Sequence, residues 1–239
     1  MYMKLRYSLL IAFGCCTIHF IAQCLSIFLL NGEEYMTIFE CDRVRGMSFN
    51  NINVWFGIFG VLTMVFFAIS LLKMQRNVRP KGLNTTVVIL ECLSAFYSLL
   101  ILIPKLHIII LYGGQHLIGD WDYWEVTGRE IAPMLYKILF NDHLYTSLWD
   151  SQINIVHNLI VVPLVNLLLL VVFCRMKNLI PLTRIIGILA CLIPIIYHMA
   201  TIFGINVYTP MLGQTFIITN GLLWCTMLLL LYMNTKTQN

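Results

Sequence analysis

Long apolar runs separated by short polar connections dominate this chain. A helix needs about 20 apolar residues to cross the hydrocarbon core of a bilayer. Six segments meet or nearly meet that length: about 8–30, 52–72, 86–111, 152–173, 185–205 and 214–233. In the third, Pro104, Lys105 and His107 interrupt the pattern, and the helix is expected to end or bend near Pro104. The pattern predicts an all-α polytopic membrane bundle of six transmembrane helices. No internal repeat, low-complexity tract or linker divides it, so residues 1–239 are expected to form a single integral membrane domain.

The connections carry the charge, and charge sets orientation. Lys4, Arg6, Lys73, Arg76, Arg79, Lys81, Arg175, Lys177, Arg184 and Lys236 all fall on one side of a six-span arrangement. Arg43, Arg45, Arg129 and Lys137 fall on the other, with Lys105 near it. Every acidic residue except Glu91 is also on that second side. The alternation predicts cytoplasmic N- and C-termini, and a five-span arrangement would break it. The basic start followed by an apolar run imitates a signal peptide. The run from Tyr7 to Leu30 is too long for that, and no clear small-residue cleavage site ends it, so the first span is expected here.

Composition agrees: 59% of residues are hydrophobic and 11% charged, against about 25% charged in soluble domains. The expected surroundings are a lipid bilayer, at the plasma membrane or endoplasmic reticulum. A net charge of +4 without basic–aromatic runs argues against nucleic acid. The eight cysteines include no C-x-x-C pair, so neither a zinc site nor a disulfide framework is expected. His116 and His143 lie in a loop without spaced partners, and no metal or cofactor is implied. The outer segment 113–151 holds Trp121, Tyr123, Trp124, Tyr145 and Trp149, which suit an interfacial anchor or a lid.

Polar residues inside a membrane are costly and are therefore candidates for function. The fourth span opens with Asn154, His157 and Asn158, spaced to share one helix face, with Asn166 eight residues on near the same face. Ser48 and Asn51 stand where the second span enters from outside, although Asn51 or Asn53 could simply cap that helix. His198, beside Tyr197, and Tyr208 belong to the outer part of the fifth span and its exit. Ser48, His157, His198 and Tyr208 can thus lie at similar depth. A hydroxyl becomes a useful nucleophile when a histidine takes its proton, and an asparagine can orient the imidazole or donate to an oxyanion. A membrane histidine can equally just hydrogen-bond a neighbouring helix. Glu91, near the inner end of its span, is expected to contact water or a loop cation such as Lys81. His19 and Thr17 are expected to be packing contacts.

Residues 154–212 resemble the androgen-induced/androgen-dependent integral membrane hydrolases and a related group of uncharacterised prokaryotic six-span proteins. The resemblance rests on Asn154-x-x-His157 followed by Pro163, on Pro181-Leu-Thr-Arg184, on Tyr197-His198, and on Gly204-Ile-Asn-Val-Tyr208-Thr-Pro210-Met-Leu212. Thr209 is inserted relative to the family's Val-Tyr-Pro. Ser48-Phe49-Asn50-Asn51, with Gly60 twelve residues past Ser48, is similar to the family's second-span entry. The resemblance implies a membrane hydrolase of fatty acyl esters, with Ser48 as nucleophile and His157 as its partner. Asn51, Asn154, Asn158, His198 and Tyr208 would support the pocket. Thr37 is a rival nucleophile, because Tyr35-Met-Thr37-Ile-Phe39 is similar to the family's threonine string. The alternatives are a small-solute or ion transporter or channel, for which Glu91 and the buried asparagines would line a path, and a non-catalytic membrane protein.

Overall fold

The computed structural model describes residues 5–29, 48–74, 80–112, 157–176, 179–202 and 210–236. Among these the chain forms six α-helices and no strand. They are α1 (Leu5–Leu29), α2 (Ser48–Lys73), α3 (Lys81–Tyr112), α4 (Val162–Arg175), α5 (Pro181–Ile202) and α6 (Pro210–Lys236). A five-residue π-helical turn, His157–Val161, leads directly into α4.

Five helices are long and apolar enough to cross a membrane. The sixth, α4, has 14 residues, and the π turn adds five more. Large apolar side chains face outward on these helices, Leu10, Ile89, Phe96, Ile185 and Ile196 among them. Such a surface suits lipid rather than water. The fold is that of an integral, multi-pass helical membrane protein.

Two helices run through prolines. α3 continues past Pro104 to Tyr112, so the helix does not end there. α5 likewise continues through Pro194. Each proline removes one backbone donor, and neighbouring helices make that loss tolerable in a membrane bundle.

Each helix packs against its sequence neighbours, and α6 returns to pack against α1. The six therefore close into a ring. Polar contacts tie the ends that the charge pattern assigns to the cytoplasm. Ser70 Oγ lies 2.9 Å from Ser8 Oγ, joining α2 to α1. Asn84 Nδ2 donates to the Leu71 carbonyl at 2.6 Å, joining α3 to α2. Arg184 Nη2 donates to the Met176 carbonyl just past α4 at 3.1 Å. Arg6 Nη2 donates to the Tyr232 hydroxyl at 3.0 Å, joining α1 to α6.

The core is not centred in the ring. Its main cluster takes residues from all six helices, including Leu9, Phe67, Leu71, Val87, Leu169, Phe173, Cys191, Met227 and Leu231. All of these lie toward the half that the charge pattern assigns to the cytoplasm. A smaller cluster of Val61, Ala95 and Leu102 lies between α2 and α3 toward the other half. Among the described residues, dense packing therefore forms a floor beneath the outer half.

Candidate functional site

Pro163 explains the local geometry at His157. A proline inside a helix cannot donate to the carbonyl four residues earlier, and its ring collides with that carbonyl. Here that carbonyl belongs to Leu159, inside the π turn. The wider winding accommodates the ring, and π turns of this kind recur at functional sites. The turn also corrects the expected helix face. One residue corresponds to about 100° of rotation, so the extra residue breaks the register that linked Asn158 to Asn166. Asn166 is instead buried in the packed half, where its Nδ2 donates to the Val162 carbonyl at 2.8 Å.

The His157 imidazole stacks on the ring of Tyr97 from α3, with centroids 4.2 Å apart and planes 26° from parallel. His198 of α5 lies within electrostatic reach of His157. Tyr197 stacks on Phe216 of α6 at 3.9 Å and 16°, and meets the His198 ring edge-on at 5.8 Å. Three helices and the π turn thus converge on two imidazoles. Tyr97 is 8% exposed and His157 is half-buried. Tyr97 stands sixteen residues into α3, about 24 Å from its cytoplasmic end at 1.5 Å per residue. In a hydrocarbon core about 30 Å thick that is the leaflet that the charge pattern assigns to the outside.

The structure brings together two of the residues singled out from sequence, His157 and His198. Thr37, Asn154 and Tyr208 lie outside the described residues, as do the side chains of Ser48, Asn51 and Asn158. The backbone of Ser48 opens α2. Farther along α2, Gly57 lies against Leu102 of the antiparallel α3. Ser48 is nine residues before Gly57, about 13 Å farther out, and Tyr97 is five residues before Leu102, about 8 Å farther in. Along the bundle axis Ser48 therefore stands roughly 20 Å outward of the Tyr97–His157 level.

Tyr97 is the site residue that sequence reasoning missed. Its only signal is a phenol in the middle of an apolar run. His19 and Thr17 behave as packing contacts: His19 Nδ1 donates to the Phe56 carbonyl at 3.3 Å, and Thr17 Oγ1 donates to the Phe13 carbonyl at 2.8 Å. Gly60, part of the family resemblance, sits under the His19 ring, and a Cβ there would come within 3.2 Å of it. Glu91 is 6% exposed and faces the bundle interior. The expected Lys81 partner is exposed and ten residues earlier on the same helix, about 15 Å away along it, so the two are not paired.

No group of three or more metal-ligating side chains is found among the described residues. Compared with known proteins, the chain matches no protein-family model, no curated protein and no solved structure. The fold and the imidazole pair therefore stand on this chain's own residues.

Proposed function

We propose that this membrane protein is an intramembrane lipid ester hydrolase with His157 as the general base. The observation that carries the reading is the stack of half-buried His157 on buried Tyr97 beside His198, held in a π turn at outer-leaflet depth. Stacking on Tyr97 fixes the plane of the imidazole. A second imidazole nearby can hold or hand on a proton during acyl transfer. An ester with acyl chains in the outer leaflet would reach this depth without leaving the bilayer.

The nucleophile in this reading is a hydroxyl supplied from the outer side. Of the two that the sequence offers, Thr37 is favoured over Ser48. Ser48 opens α2, roughly 20 Å outward of His157 along the bundle axis. Thr37 follows the end of α1 by eight residues, and eight residues can span up to about 27 Å.

Purified protein in lipid discs, treated with a lipid-like phosphonate, tests this. Covalent labelling on Thr37, with labelling and ester hydrolysis both lost in His157→Ala, is the expected result. A label on Ser48 keeps the hydrolase class and moves the nucleophile. Full hydrolysis by His157→Ala, or no labelling and no hydrolysis by the wild type, overturns the proposal.

A further inference from the structure

The seam where α6 closes onto α1 holds a chemical feature that the outer site does not use. Cys225 of α6 donates its S–H to Cys16 of α1, with the sulfurs 3.5 Å apart. The two residues are 209 positions apart in the chain, so the helix packing alone brings them together. Cys16 is 9% exposed. Cys225 is half-buried and shares a helix face with Leu222 and Leu229, both exposed on the lipid-facing surface. The Thr17 hydroxyl lies 3.9 Å from the Cys225 sulfur. Two further contacts hold the seam in register, Phe20 packed on Gly221 and Arg6 bonded to Tyr232.

The pair sits at mid-membrane. Cys16 is eleven residues from the start of α1 and Cys225 eleven from the end of α6, each about 16 Å along its helix. Aqueous thiols and disulfides do not enter that depth, whereas oxidants dissolved in the acyl chains do. The sulfurs need to approach by only about 1.5 Å to reach the roughly 2.05 Å of a disulfide bond.

We propose that Cys16 and Cys225 are a modification site: a thiol pair that lipid-phase hydroperoxides oxidise to a disulfide, locking the α1–α6 seam. The Cys225 sulfur, bordering lipid, attacks the terminal peroxide oxygen. The O–O bond breaks, the lipid leaves as an alcohol carrying the Cys225 thiol proton, and Cys225 becomes a sulfenic acid. The Cys16 sulfur then attacks Cys225 and expels water, which takes the Cys16 proton. Each sulfur loses one electron and the hydroperoxide gains two.

The test uses the full chain, reduced and placed in lipid discs, then treated with cumene hydroperoxide, quenched with an alkylating reagent and digested. The expected result is a Cys16–Cys225 linked peptide, with loss of two hydrogen masses and of two alkylatable thiols from the intact protein. A membrane-permeant dithiol should reverse it. The Cys225→Ser variant, checked for unchanged helicity and elution, should form no linked peptide. Alkylation of both Cys16 and Cys225 at doses that oxidise exposed methionines overturns the proposal. So does cross-linking of either residue to Cys15 or Cys24 instead. Faster oxidation by aqueous hydrogen peroxide than by the lipid-soluble reagent overturns the assignment of the oxidant.

Discussion

Gly187 shows how tightly single residues define this bundle. A Cβ at Gly187 would fall 2.6 Å from the ring of Phe173, which is fully buried between α4 and α5. An aromatic ring in a packed core cannot retreat as the end of a flexible chain can. Gly187→Ala is expected to destabilise the protein by about 1–3 kcal/mol, the usual penalty of overpacking. A lowered melting temperature in detergent would show it; wild-type melting would mean that Phe173 repacks freely. Glu91 makes the complementary point. Its position in the third span was plain in the sequence, but its neighbours were not. The pairing with Lys81 failed because both residues lie on one helix, too far apart along it to meet.

Among the elements, the π turn before α4 matters most for the proposed hydrolysis. It presents His157 to Tyr97, and Pro163 is its physical cause. In Pro163→Ala a regular α-helix becomes available, because the backbone donor returns and the ring clash disappears. Regular winding would rotate His157 by about 100° relative to α4. The expected outcome is a protein at least as stable as wild type that has lost most of the proposed ester hydrolysis. Thermal unfolding measured beside the phosphonate assay distinguishes this from simple misfolding; retained hydrolysis would show that the π turn does not position the imidazole. The long helices behave differently. Pro104 and Pro194 leave α3 and α5 continuous, so a proline's effect here depends on its surroundings rather than its presence.

For the whole molecule, the ring of helices gives the charge pattern a direct test. Cys174 is exposed at the end of α4, next to Arg175, on the side assigned to the cytoplasm. In intact cells a membrane-impermeant maleimide is expected to leave Cys174 unlabelled and to modify it only after permeabilisation. Labelling from outside would invert the topology and place the imidazole pair in the cytoplasmic leaflet.

Among the described residues, the number of helices, their approximate limits and their alternating direction were legible in the sequence. Each follows from local quantities: the length of an apolar run against the thickness of a bilayer, and lysine and arginine bias at its ends. The residue types of the site were partly legible too, since His157 and His198 are imidazoles where lipid disfavours them. Which residues meet was not. The Tyr97 stack, the partnering of Cys16 with Cys225, the burial of Glu91 and the offset of Ser48 from His157 all depend on helix rotation and register. Among lipid-exposed helices the apolar pattern runs nearly all the way round, so hydrophobicity does not select the inward face. Only the packing of one helix on another, through glycines such as Gly187 and rings such as Phe173 and Tyr97, sets that rotation. The tertiary structure alone therefore decides the site.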